Sequence, residues 1–156
     1  MKQFQQIKHL VKQCIYCSVA TINKDGLPHI APIGSVYLSD EQGGYFIEMF
    51  TSSMENRSTK QDKACIMAIN TSPWFWIKSL FRGRFVSTPG FRLRVTLHKK
   101  RQAQDFEKQR FLKKVHPLRF FKGHKILWSK MGAIREFTID EVIPLKMGQM
   151  TKDLED

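Results

Sequence analysis

Between Ser18 and Asn70 the chain alternates short apolar runs with glycine-bearing turns, and few folds accept such a pattern. Ser18–Ile22 gives way to the turn Asn23-Lys24-Asp25-Gly26, and His29–Leu38 resumes the apolar run. Ser39–Gly44 reads as a second turn, Tyr45–Phe50 as a third strand and Ala64–Ile69 as a fourth. β-Branched and aromatic residues between turn signals predict a meander of antiparallel strands. After Phe50 the polar run Thr51–Lys60 breaks the strand pattern. Ser52 with Glu55 fits a capping box, so a short helix is expected there.

The flanking segments supply helices and further strands. Phe4, Ile7, Leu10 and Val11 share one helical face near the N-terminus. Ser72-Pro73 reads as an N-cap followed by proline at the first helical position, so Trp74–Phe81 is expected to be a helix ended by Arg82-Gly83-Arg84. Thr88-Pro89-Gly90 is a turn. Beyond it Phe91, Leu93, Val95 and Leu97 alternate with Arg92, Arg94, Thr96 and His98, a strand with one buried face. Gln102–Val115 reads as a charged helix broken by Pro117, and Leu118–Met131 as a helical piece interrupted at Gly123. Ala133–Val142 alternates again as a closing strand, and Thr151–Asp156 reads as a frayed tail.

Six or more antiparallel strands with short connections in 156 residues predict a mainly β fold, a small barrel flanked by helices. The reading is of one domain: an N-terminal helix over 1–16, a barrel core over 17–98, and helices with the closing strand over 99–156. No run of about 18 apolar residues is present, and the N-terminus lacks the apolar stretch of a secretory signal. A cytoplasmic location is the default expectation.

Charge is the strongest compositional signal. The formal net charge is +12, and residues 78–135 hold 17 of the 26 Lys and Arg against only Asp105 and Glu107. Such a field attracts anions: a phosphate-bearing cofactor, an acidic partner, nucleic acid or a lipid surface. The run from Lys99 to Lys130 reads first as a solvated face. Cys14 and Cys17 stand at CxxC spacing, but no second pair of ligands follows, so they read as core residues at the entry to the first strand. The histidines form no ligand-spaced pair on a helix, and no metal site is expected. His29 reads as an outward strand residue, and no residue declares itself as a catalytic acid or base.

The run Ala20-Thr21-Ile22-Asn23-Lys24-Asp25-Gly26-Leu27-Pro28-His29-Ile30-Ala31-Pro32-Ile33-Gly34 resembles the FMN-binding split-barrel family related to pyridoxamine 5'-phosphate oxidase. Phe46–Asn70 resembles that family's strand, flavin-phosphate turn, short helix and next strand. Trp76–Phe85 with Pro89-Gly90 resembles a subgroup of uncharacterised members. The likeness covers roughly residues 10–100, with a weaker echo at Trp128-Ser129, and it rests on the order of the motifs more than on any one of them.

The resemblance implies a split β-barrel homodimer with FMN (FAD being the alternative) in clefts at the subunit interface, and an oxidoreductase acting on a small substrate. Pro32, Ile33, Gly34 and Ser35 would lie along the flavin ring. Thr51, Ser52, Ser53 and Arg57 would meet the ribityl chain and phosphate, with Lys60 nearby. Trp76, Lys78, Arg82 and Arg84 would complete the site from the partner chain. Two departures matter. Ser53-Met54-Glu55 stands where family oxidases carry Ser-x-Arg-Lys or Ser-x-Lys, and Ile143–Met147 does not match their arginine-bearing substrate segment. Vitamin B6 oxidation is therefore not the expected activity.

The residue chemistry agrees with a flavin phosphate, since hydroxyls and a cation suit a dianion and Gly34 allows close backbone approach to a ring. The plainer reading of Thr51-Ser52-Ser53 is a helix cap, and of Trp74 and Trp76 core or dimer-interface anchors. Two other functions compete. One is a flavin- or haem-holding module without turnover; haem would need an axial ligand such as His over a pocket. The other is a nucleic-acid or anionic-membrane binder, for which the aromatics between basic residues in Trp74–Phe85 and Leu118–Trp128 speak.

Overall fold

The computed structural model describes residues 2–39, 42–48, 62–128 and 133–154. Among them, seven strands form one antiparallel curled sheet, a half-barrel flanked by helices. In chain order these are α1 (Lys2–Gln13), β1 (Cys17–Ile22), β2 (Pro28–Ile33), β3 (Tyr37–Leu38), β4 (Gly43–Glu48), β5 (Lys63–Ile69), α2 (Pro73–Arg82), β6 (Gly90–Gln102), α3 (Asp105–Val115), α4 (Gly123–Trp128) and β7 (Ala133–Pro144). Short 3-10 turns follow α3 at His116–Leu118 and form the last described segment at Gly148–Leu154.

The strand order is β2-β1-β5-β6-β7-β4-β3. The expected meander is therefore corrected. Adjacent hairpins β1–β2 and β3–β4 form, but β1 pairs with β5 and β4 with β7, both across long intervals of sequence. Register shifts in the β6–β7 pairing, between Arg94 and Val95 and between Leu97 and Lys100, mark irregularities of the kind that curl a sheet.

Alternation decides which side of each strand is buried. In β6, Phe91, Leu93, Val95 and Leu97 are buried while Arg92, Arg94 and His98 are exposed, as the pattern predicted. They join Val19, Phe46, Ile66 and Phe137 in the main core, which α1 covers with Ile7, Leu10 and Val11. A second cluster of Ile47, Ala103, Phe111, Val115 and Ile134 lies beneath α3, with Tyr37 and Tyr45 against it.

The expected strand His29–Leu38 is two strands. Gly34 and Ser35 turn the chain between β2 and β3, and the buried Ser35 hydroxyl donates to the Ile47 carbonyl (3.1 Å) and accepts from the Ile47 amide (3.0 Å). That pair of bonds ties the turn to β4 and outweighs the continuing apolar pattern. α2 runs one residue beyond the predicted Trp74–Phe81 at each end: Pro73 starts it, and Gly83 ends it in the left-handed conformation (φ 66°), a backbone geometry that a Cβ disfavours. Gly123 opens α4 instead of interrupting a helix. The tail differs from its reading too. Thr151 is buried, its hydroxyl accepting from the Met147 amide (2.8 Å), while Phe85 donates to the Met150 carbonyl (2.9 Å). The short Thr51–Lys60 helix lies outside the described residues.

Candidate functional site

The basic segment is not simply a solvated face. Several of its cations turn inward onto carboxylates or carbonyls. Glu48, at the end of β4, is buried and ion-paired with Arg135 of β7, itself buried. The second Glu48 carboxylate oxygen meets the Lys100 ammonium at 2.6 Å, an ionic contact whose angles fall outside hydrogen-bond geometry. Arg135 also donates to the His98 carbonyl (2.8 Å). One carboxylate thus faces two cations at the point where β4 leads into residues 49–61. The pattern Ile47-Glu48 in an apolar strand was the available signal, but a carboxylate at a strand end reads as an exit to solvent.

A neighbouring cluster fixes α3. Arg101 holds Glu107 through two bonds (3.0 and 2.7 Å) and also meets Glu136 (2.8 Å), while Glu107 accepts from the Gln104 amide (2.8 Å) to complete a capping box. Burial alone would raise the Glu107 carboxyl, but Arg101 and the Gln104 amide hold it below the ordinary range. Asp140 is also lowered, first by Lys63 (3.0 Å), with Thr96 donating to both of its oxygens and only slight burial opposing.

A stability consequence follows from the sign of these shifts. A carboxyl with a folded pKa below its unfolded value contributes stability that is complete above about pH 4 to 5 and is lost as pH falls through the folded value. Solvent screens the exposed Lys63–Asp140 pair, so Glu107 should carry most of the effect. Urea titrations of Glu107→Gln are expected to show a stability deficit at neutral pH that narrows as pH falls below 4. A deficit independent of pH would remove the Arg101–Glu107 charge pair from the explanation.

A cleft of 660 Å³ lies over β1, β5, β6 and β7, lined by Thr21, Cys65, Lys63, Arg94, Asp140 and Glu141 among others. Its cations are already paired, Lys63 with Asp140 and Arg94 with Glu141 (2.7 Å). Thr21 and His29 face one another across β1 and β2 on the side that Val19 and Ala31 give to the core, and Thr21 Oγ1 and His29 Nε2 are buried without a hydrogen-bond partner among the described residues. His29 is half-buried and not the outward residue expected.

Pro32 and Ile33 end β2, and Gly34 and Ser35 form the turn after it. Here the Ser35 hydroxyl is committed to Ile47, so only backbone groups of this stretch are offered to a ligand. Lys114 of α3 reaches across to donate to the Gly34 carbonyl (2.8 Å) and the Cys14 carbonyl (3.3 Å), placing a cation at the turn. Cys14 and Cys17 are buried free thiols, as the sequence suggested. The Cys17 thiol holds Cys14 down to about 7 against the opposing effect of burial, and Lys114 adds to the lowering. Cys17 is pushed up by the same bond and by burial.

Trp76 packs inward from α2, its indole donating to the Asn70 carbonyl (2.6 Å) and its ring edge-on to Phe85 (5.4 Å). Lys78 and Arg82 are exposed on the same helix, and Arg84 pairs with Asp153 (3.3 Å). Within one chain, none of the described hydrogen bonds, ion pairs or ring contacts joins Pro32–Ser35 to these four residues. Thr51, Ser52, Ser53, Arg57 and Lys60 lie outside the described residues. No group of three or more His, Cys, Asp or Glu side chains is placed to hold a metal among the described residues. No helix among them is long and apolar enough to cross a membrane.

The sequence model of pyridoxamine 5'-phosphate oxidase matches residues 4–142, and the chain belongs to that family. The fold agrees. A structure of an FMN-binding protein from Syntrophomonas wolfei subsp. wolfei is similar with a TM-score of 0.66 at 14% identity, covering 94% of this chain and 88% of the other. The HupZ protein of Group A Streptococcus is similar with a TM-score of 0.59 at 18% identity, covering 92% and 94%. An F420 reductase has a TM-score of 0.57 at 12% identity, covering 86% and 94%. No curated protein sequence matches the chain.

Proposed function

We propose that this protein is a flavoprotein that binds FMN and acts as an oxidoreductase on a small substrate, with two copies of the chain enclosing the cofactor at their seam. The observation that carries the reading is the family match over residues 4–142 on a curled sheet of the same fold. The Syntrophomonas wolfei neighbour's description as FMN-binding supports FMN over other flavins.

In this reading Pro32, Ile33, Gly34 and Ser35 offer backbone groups to the ring, Lys114 stiffens their turn, and Thr51, Ser52, Ser53, Arg57 and Lys60 hold the ribityl phosphate. The proposed contacts stop there. Trp76 is already bonded to Asn70, Arg84 is paired with Asp153, and Lys78 and Arg82 lie on the outward flank of α2. Bound flavin would supply the hydride or electron transfer, and the chain would position it and keep water from it.

Titrating the purified protein with FMN and following flavin fluorescence and absorbance tests the reading. Saturable binding at one flavin per chain, with a dimer in solution, is expected. A colourless protein that leaves the added FMN spectrum unchanged would overturn it.

A further inference from the structure

α2 is fastened to the body by one face only. Phe75 stacks on Phe85 (5.5 Å), Trp76 bonds to Asn70, and Ser79 on the same face is buried. At 100° per residue the remaining large side chains fall together on the opposite arc. Trp74, Ile77, Leu80 and Phe81 are 77%, 54%, 66% and 93% exposed. Lys78 and Arg82 stand along one border of that arc, and with Trp74, Ile77 and Phe81 they line a shallow groove of 520 Å³. Core packing explains none of these six positions, and an apolar stripe of this extent on a charged protein marks a contact surface.

The chemistry at the border selects the occupant. Residues 71–89 contain no Asp or Glu. A two-fold contact between copies through this face would bring two basic borders together with no carboxylate from residues 71–89 of either copy to answer them. A bilayer surface with anionic headgroups answers both features. The apolar arc enters the headgroup–acyl boundary, and the ammonium and guanidinium groups rise to the lipid phosphates. The overall charge of +12 draws the molecule to such a surface before the helix engages.

We infer that α2 is an interfacial docking helix, seating this protein on anionic lipid surfaces through Trp74, Ile77 and Phe81, with Lys78 and Arg82 at the headgroups. The inference is independent of the cofactor, since none of these side chains is used in the flavin proposal.

Co-sedimentation of the full chain with vesicles tests it, comparing pure phosphatidylcholine with phosphatidylcholine containing about 30 mol% phosphatidylglycerol. Binding to the anionic vesicles only, weakened by added salt, is the expected result. Lys78→Glu/Arg82→Glu and, separately, Trp74→Ser/Phe81→Ser should each weaken partitioning at least about tenfold. All four positions are exposed, so the thermal transitions should stay close to that of the parent. Absence of binding to anionic vesicles at low salt would overturn the inference. So would binding that survives Trp74→Ser/Phe81→Ser, which would reduce it to diffuse attraction by a cationic protein. Self-association in sedimentation velocity that the same substitutions abolish would give the face to a second copy and overturn it as well.

Discussion

Replacing Glu48 with Gln is expected to cost about 3–5 kcal/mol of folding stability, measured by urea unfolding at neutral pH. The substitution keeps the side chain's size and removes the charge that Arg135 was buried against. Arg135 cannot reach water without leaving β7, where Ile134 and Phe137 are both in the core. Lys100 is partly exposed and can swing out, so it contributes little to the penalty. A paired replacement of Glu48 and Arg135 by Met should recover most of the loss, since the expense lies in an orphaned charge more than in the pair itself. If Glu48→Gln unfolds at the same urea concentration as the parent, the pair does not anchor the end of β4.

The second large effect concerns the cofactor. Arg57→Ala is expected to weaken FMN binding by an order of magnitude or more, charged hydrogen bonds to phosphate being worth roughly 1.5–3 kcal/mol. Arg57 belongs to residues 49–61, which follow Glu48 in the sequence and precede β5. Isothermal titration of FMN into Arg57→Ala, with riboflavin as the comparison ligand, separates phosphate contacts from ring contacts. Equal losses for both ligands, or no loss, would remove Arg57 from the phosphate site.

Local rules were legible in the chain and long-range pairing was not. α2 could be placed because Pro73 and Gly83 act within a turn of themselves, one through a fixed φ and the other through a left-handed one. β6 could be placed because one face is buried along most of its length, which writes a clean alternation into Phe91–His98. The pairing of β1 with β5 leaves no local trace, since either strand would show the same pattern beside another partner. The break between β2 and β3 was hidden for a related reason. It depends on Ser35 meeting Ile47, a residue twelve positions on, and the run around it stays apolar.

The candidate site was legible to a similar degree. Family resemblance pointed to Pro32–Ser35 and to the Thr51–Lys60 corner, and the family assignment agrees with the resemblance. Nothing in the residue order hints that Ser35 spends its hydroxyl on the fold, nor that Thr21 and His29 hold buried polar atoms with no hydrogen-bond partner among the described residues. Lys100 and Arg101 looked like two more members of a charged run, yet each is turned onto a carboxylate supplied by another element. Charge counts describe the field outside a molecule and are silent about which cations face inward.

Among the described residues, the outermost strand on one side of the sheet is β2, which pairs with β1 alone. Pro28 and Pro32 lack amide hydrogens, and such residues sit in edge strands where the missing donor would have pointed to water. That side is therefore short of the donors a foreign strand would need to add itself to the row, and the opposite margin, Tyr37–Leu38, is only two residues long. Edge-to-edge addition of one sheet to the next is accordingly disfavoured, which protects the chain against fibrous growth.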